Sequence, residues 1–155
     1  MVEYLAKTDK YSSAVLDIVK GWGSDIIVTR GNVHHPEFLD GILAIEYEKI
    51  VGIGLYKIDK DCEIVLLETF VKNKGIGTEI IDRIKAVAKN KKCERVWLVS
   101  DNTNSDAFRF YQKRGFSISN IHVNAMREAR KIKPEIPLLV NGIELKDEIE
   151  YEVEL

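Results

Sequence analysis

The chain reads as an α/β (α+β) protein with flanking helices and a mixed, mostly antiparallel sheet. Three patterns say so. Segments of helical and strand period interleave from end to end. Strand-like runs between Ile42 and Val71, separated only by short turns, form an antiparallel meander. Val96-Trp97-Leu98-Val99 is a near-continuous apolar run, typical of a sheet covered on both faces.

Glu3 to Ala6 is a short first strand. Tyr11 to Trp22 is a helix, because Val15, Ile18, Val19 and Trp22 follow helical spacing and Ser12 and Ser13 suit its start. Asp25 to Arg30 is strand-like, and Gly31 to Gly41, with Pro36, is a loop. Ile42 to Tyr47 and Ile50 to Ile58 form a hairpin turning at Glu48-Lys49, and Asp59-Lys60-Asp61 leads into a strand from Glu63 to Val71. After the turn Lys72 to Gly77 a helix opens at Thr78, with Ile76, Ile80, Ile84 and Val87 as its apolar stripe. Arg95 to Ser100 is the apolar strand. A helix through Tyr111 begins after Asn104 and ends at Gly115. Phe116 to Val123 is a strand, Ala125 to Lys131 a short helix, and Pro134 and Pro137 break the chain. Glu148 to Leu155 alternates apolar and charged residues and reads as a closing strand.

A single domain over residues 1–155 is expected, burying roughly two-thirds of its unfolded surface. Lys plus Arg total 23 and Asp plus Glu 25, which argues against a nucleic-acid binder. The basic clusters Lys89 to Lys92 and Arg127 to Lys133 read as solvated helix ends. Apolar runs fall far short of a membrane span, and the N-terminus lacks a signal-peptide pattern, so no membrane role and a cytoplasmic location are expected. Cys62 and Cys93 form no C-x-x-C pair, and His34, His35 and His122 have no zinc-site spacing, so no metal is expected. Cys93 reads as a packed thiol, and His34 and His35 as loop residues or the rim of a substrate mouth.

The turn Lys72-Asn73-Lys74-Gly75-Ile76-Gly77, between a strand and a helix, reads by itself either as a purely structural turn or as an anion site. A helix N-terminus leaves N–H groups unpaired and carries partial positive charge. Glycines ahead of it allow close approach of a phosphate or pyrophosphate, and Lys72 and Lys74 add charge of the right sign. The spacing fits neither the Walker loop nor the Rossmann fingerprint, since Ile80 stands where a third glycine belongs.

Downstream, Asn104-Ser105-Asp106-Ala107-Phe108-Arg109-Phe110-Tyr111-Gln112-Lys113-Arg114-Gly115-Phe116 resembles the second acetyl-CoA motif of the GNAT N-acetyltransferases. The turn resembles that family's first motif, and the order and separation of the two are similar as well. Lys72 stands where the family usually carries Gln or Arg, and it lacks the planar fork of Arg. The resemblance implies the GNAT acyl-CoA N-acyltransferase fold, with a twisted sheet, and acetyl-CoA as co-substrate.

It also implies the chemistry. The pantetheine arm of the donor lies between two splayed parallel strands, here Glu63 to Val71 and Arg95 to Ser100. Thr69, Phe70 and Val71 match the backbone positions that bind it, and Lys72 through Gly77 with Thr78 match the pyrophosphate site. Tyr111 matches the tyrosine that protonates the departing thiolate, and Asn104 is a helix cap or a pantetheine contact. The general base stays open between Glu68, Glu63 and Glu46, or water. Glu68 is the first choice because it interrupts an apolar strand near the expected thioester. Trp22, Arg30, His34, His35 and Phe38 are candidate walls for the acceptor, a small-molecule or peptide amine, and the tail is a further candidate cover. Arg30 reads as a surface charge before it reads as an anion contact. A homodimer is compatible with the sequence. The competing function is a catalytically weak acyl-CoA-binding sensor or partner-binding module.

Overall fold

The alternating runs become eleven strands and four α-helices in the computed structural model, which describes residues 1–155. In chain order they are β1 (Glu3–Ala6), α1 (Ser12–Lys20), β2 (Ile27–Thr29), β3 (Asn32–His34), β4 (Asp40–Glu46), β5 (Lys49–Ile58) and β6 (Cys62–Thr69). Then come α2 (Ile76–Asn90), β7 (Arg95–Asp101), α3 (Ser105–Lys113), β8 (Ser117–His122), α4 (Ala125–Ile132), β9 (Leu139–Val140), β10 (Ile143–Glu144) and β11 (Glu148–Glu154). Seven strands make one sheet in the order β1-β4-β5-β6-β7-β11-β8, and only β6 and β7 run parallel within it. The closing strand β11 lies inside the sheet, antiparallel to both β7 and β8.

The sheet is apolar on both faces, and each face has its own core. Ile80, Ile81 and Ile84 of α2 are fully buried against Ile42, Ile64, Val96 and Tyr151. Gly52 and Gly54 of β5 let α2 come this close: a Cβ at either would lie 2.5 Å from a side-chain carbon of Ile76 or Ile80. On the opposite face Val15 and Val19 of α1 pack over Leu43, Ile53, Leu55 and Leu66. Each fully buried aliphatic side chain contributes about 1.5–3 kcal/mol.

Several boundaries differ from the sequence expectation. The β4–β5 hairpin turns at Tyr47-Glu48, both at positive φ, rather than at Glu48-Lys49. The expected loop Gly31 to Gly41 contains β3, which pairs back on β2 through a turn at Arg30-Gly31. Helix α2 opens at Ile76, two residues earlier than expected, because Gly75 in the left-handed region caps it. The β9–β10 hairpin turns at Asn141-Gly142 in a stretch to which the sequence reading assigned no element.

Candidate active site

Strands β6 and β7 run side by side only at their starts. Cys62 pairs with Val96 and Glu63 with Trp97, and then the strands separate. A bulge between β5 and β6 at Val65, where the register slips, bends β6 at this point. Beyond it the facing edges of the two strands share no ladder. Such bare edges are suited to an extended, amide-bearing ligand.

Two cavities meet in the gap. One, of about 510 Å³, lies against α3 and the N-terminus of α2. The other, of about 310 Å³, lies beneath β2, α4 and the segment that follows α4. Leu67, Asn104, Ala107 and Tyr111 line both, so molecules in the two cavities meet at these residues.

Thr69, Val71 and every residue from Lys72 to Thr78 line the larger cavity. The Glu79 N–H donates to the Gly75 carbonyl at 3.0 Å, and the N–H groups before it in α2 have no helical acceptor. Gly75 holds φ +67°, and a Cβ there would meet nothing within 4 Å. Gly77 differs: a Cβ would stand 3.1 Å from the Phe110 ring, so this glycine lets α2 pack on α3. Phe70 lies off the cavity. Its N–H donates to the Val51 carbonyl at 2.9 Å, and its ring is half exposed.

Arg114 is a cation of this cavity that the sequence reading passed over. Its Nε donates to Thr78 Oγ1 at 2.8 Å, and its guanidinium lies 3.9 Å from the Phe110 ring centroid. It therefore brings a planar guanidinium to the first turn of α2, where Lys72 offers only an ammonium. The sequence signal was weak, because a basic residue before a helix-ending glycine reads as ordinary C-terminal dipole compensation.

Tyr111 is buried among Phe110, Phe116 and Tyr151, with ring centroids 5.2, 5.6 and 5.5 Å away. Burial, with Tyr151 beside it, pushes its phenol well above the usual value. The hydroxyl therefore keeps its proton throughout the neutral range. Asn104 caps α3, its Oδ1 accepting from the Ala107 N–H at 3.0 Å.

Glu68 stands at the border of the two cavities. It lines the larger one, and its Oε2 accepts from Nε1 of Trp22, which lines the smaller one, at 2.8 Å. Glu63 lies apart, on the closed side of the splay. It accepts from Thr29 Oγ1 at 2.7 Å, and burial pushes its carboxyl up to about 6. Glu46 is farther off, at the end of β4, 3.6 Å from the N-terminal ammonium.

Of the other expected wall residues, only Trp22 reaches the smaller cavity. His34 is not a loop residue. It ends β3, buried, with Nε2 2.7 Å from Thr29 Oγ1, and burial lowers its pKa. His35 and Phe38 are exposed and stack edge-on with each other. Arg30 lies over Trp97 and reaches Glu150 at 3.4 Å. The remaining wall comes from the excursion between β8 and β11, through Met126, Lys133, Ile136, Pro137 and Leu145. Arg130 ties this excursion together by donating to the carbonyls of Ile136, Pro137 and Leu145. Asn102 pins it to the end of β7 through Glu144, Lys146 and Asp147.

The site is thus a two-sided gap between diverging parallel strands, with a glycine-turned helix N-terminus on one side. Residues 13–116 match the family model described as Acetyltransferase (GNAT) family. The Bacillus subtilis (strain 168) protein YdhI, itself described as uncharacterized, is 41% identical over 133 residues, 84% of this chain and 83% of its own. A GNAT family acetyltransferase from Elizabethkingia anophelis, solved with acetyl-CoA bound, superposes with TM-score 0.73 at 22% identity, covering 99% of this chain and 98% of that one. The IAA acetyltransferase from Bacillus cereus ATCC 14579 superposes with TM-score 0.75 at 17% identity over the whole of both chains. This chain belongs to the GNAT acetyltransferase family.

Proposed function

We propose that the protein moves an acetyl group from acetyl-CoA to a primary amine, directly, with both substrates bound. The observation that carries this reading is the meeting of the two cavities at Tyr111, in the gap between β6 and β7. The larger cavity fits the donor. The α2 N-terminus, Lys72, Lys74 and Arg114 offer positive charge to a pyrophosphate, and the bare edge of β6 offers partners to the pantetheine amides.

The acceptor ammonium gives one proton to Glu68, through water, and its nitrogen attacks the acetyl carbonyl. The C–N bond forms and the C–S bond breaks. Tyr111 gives its proton to the departing thiolate and is reprotonated as the nitrogen loses its second proton. Holding both reactants in the gap is itself a large part of the rate enhancement. The acceptor is a small-molecule or peptide amine in the smaller cavity.

The test is release of free CoA thiol from acetyl-CoA over a panel of amines, with acetyl-CoA binding followed by calorimetry. Turnover with at least one amine is expected. Tight acetyl-CoA binding with no thiol release above the amine-free rate would overturn the enzyme reading in favour of an acyl-CoA-binding module.

A further inference from the structure

We propose that the acceptor is a small monoamine on an apolar body, and that Glu148 receives its ammonium group on entry, before the proton passes through water to Glu68. This rests on the acetyl-transfer reading and names the acceptor class within it. Glu148 opens β11 opposite Asp101 of β7, is 3% exposed and lines the smaller cavity. Its Oε1 accepts the Arg30 N–H at 3.0 Å, the one hydrogen bond the carboxylate receives within the chain. A charged carboxylate so little exposed and held by a single neutral donor is costly, and an incoming cation relieves that cost.

No cation of the chain forms an ion pair with it, and Arg30 and His122 act on it only at a distance. The Arg30 guanidinium goes to Glu150 and the Trp97 ring, and His122 goes to Glu150 at 2.9 Å. Lys133, on the same cavity wall, donates its Nζ to the Ile26 carbonyl at 2.9 Å. Asp101 adds a second carboxylate to the wall. Burial and Asp101 push the Glu148 pKa up, while the Arg30 N–H, His122 and the Arg30 charge hold it down.

The rest of the wall is mostly apolar, with Val28, Met126, Ile136, Pro137 and Leu145 facing the cavity. A second ammonium would be buried against these side chains, which disfavours polyamines. A carboxylate beside the amine would oppose Glu148 and Asp101, which disfavours amino acids. The volume of about 310 Å³, roofed by α4 and the segment after it, suits a small molecule better than a peptide.

The experiment compares phenethylamine and hexylamine with spermidine, phenylalanine and an alanine-led tripeptide, in kcat/KM and in calorimetric binding to the CoA-loaded protein. The two apolar monoamines are expected to exceed the others at least about tenfold. Glu148→Gln, which keeps the shape and the acceptor for the Arg30 N–H, should raise the phenethylamine KM and Kd about tenfold or more and leave acetyl-CoA affinity unchanged. Preference for spermidine, phenylalanine or the tripeptide overturns the inference and leaves acetyl transfer standing. If no amine turns over, calorimetry decides: phenethylamine binding that Glu148→Gln abolishes supports the inference while the activity reading fails, and absence of binding overturns it. Should Glu148→Gln fold poorly, Met126→Trp, which fills the apolar wall, takes its place. It should weaken phenethylamine binding with donor affinity intact, and unchanged phenethylamine binding overturns the inference.

Discussion

At the residue scale, Tyr111 is the group most exposed to test. Its phenol is buried and holds its proton, so at neutral pH it has a proton to give and is no base. Tyr111→Phe should lower kcat by about 100-fold and leave the acetyl-CoA Kd nearly unchanged, since the ring packing survives. Near-wild-type turnover in a rate-limiting chemical step would reduce Tyr111 to a packing residue. Arg114 should act on the donor instead. Arg114→Ala should raise the acetyl-CoA Kd about tenfold or more, the scale of a charge-assisted hydrogen bond, and calorimetry reads this directly. Glu63 governs a pH effect. Its folded pKa of about 6 stands above the ordinary 4.5, so the folded state binds the extra proton. That stability is full below pH 4.5 and is lost as pH rises through 6, by about 2 kcal/mol. The lowered His34 pKa works in the opposite sense, adding stability as pH rises toward 6.5. Melting curves of wild type and Glu63→Gln should therefore differ in slope between pH 4.5 and 6.5, with the variant gaining relative stability as pH rises. Parallel curves would show that Glu63 titrates as it does in the unfolded chain.

The elements around the turn divide two glycines that look alike in sequence. Gly75 needs its left-handed backbone, and its missing side chain leaves open space beside the cavity. Gly75→Val should weaken acetyl-CoA binding through strain in the turn. Gly77 needs its small size against Phe110. Gly77→Val should instead push α3 away from α2 and lower the melting temperature more than Gly75→Val does. A Gly77→Val protein that melts like wild type but binds acetyl-CoA poorly would reverse this assignment. The strand-turn-helix order around Lys72 to Gly77 was legible because strand period, turn residues and helical period follow one another without a gap. Arg114 was not legible, since thirty-six residues separate it from Thr78 and only the packing of α3 on α2 brings them together.

At the scale of the whole molecule, β11 is a keystone of the sheet. It lies between β7 and β8, and it carries Tyr151, 1% exposed, against Tyr111. It also carries Glu150, which gathers Arg95, His122 and Arg30 into one ion-pair network. Removing residues 148–155 would strip β7 of one neighbour and detach β8 altogether. The truncated chain should be insoluble or melt far below the full one, which a solubility assay and a thermal melt will show. A truncated chain with the melting temperature of the full one would make β11 an appendage.

Sequence alone determined the class of fold and the strand, turn and helix that line the larger cavity. Those features are local: a period of two or of 3.6, a glycine turn, and a capped helix each lie within a short stretch of chain. The place of β11 was not local. Its alternation marked a strand, but only the competition among free sheet edges seated it between β7 and β8. The smaller cavity was decided in the same way. Trp22 follows α1, Met126 lies in the first turn of α4 and Glu148 opens β11, and no spacing in the sequence joins them. They become one wall only when the excursion between β8 and β11 folds back over the sheet, because burial and charge pairing act across the assembled structure and leave no period in the chain.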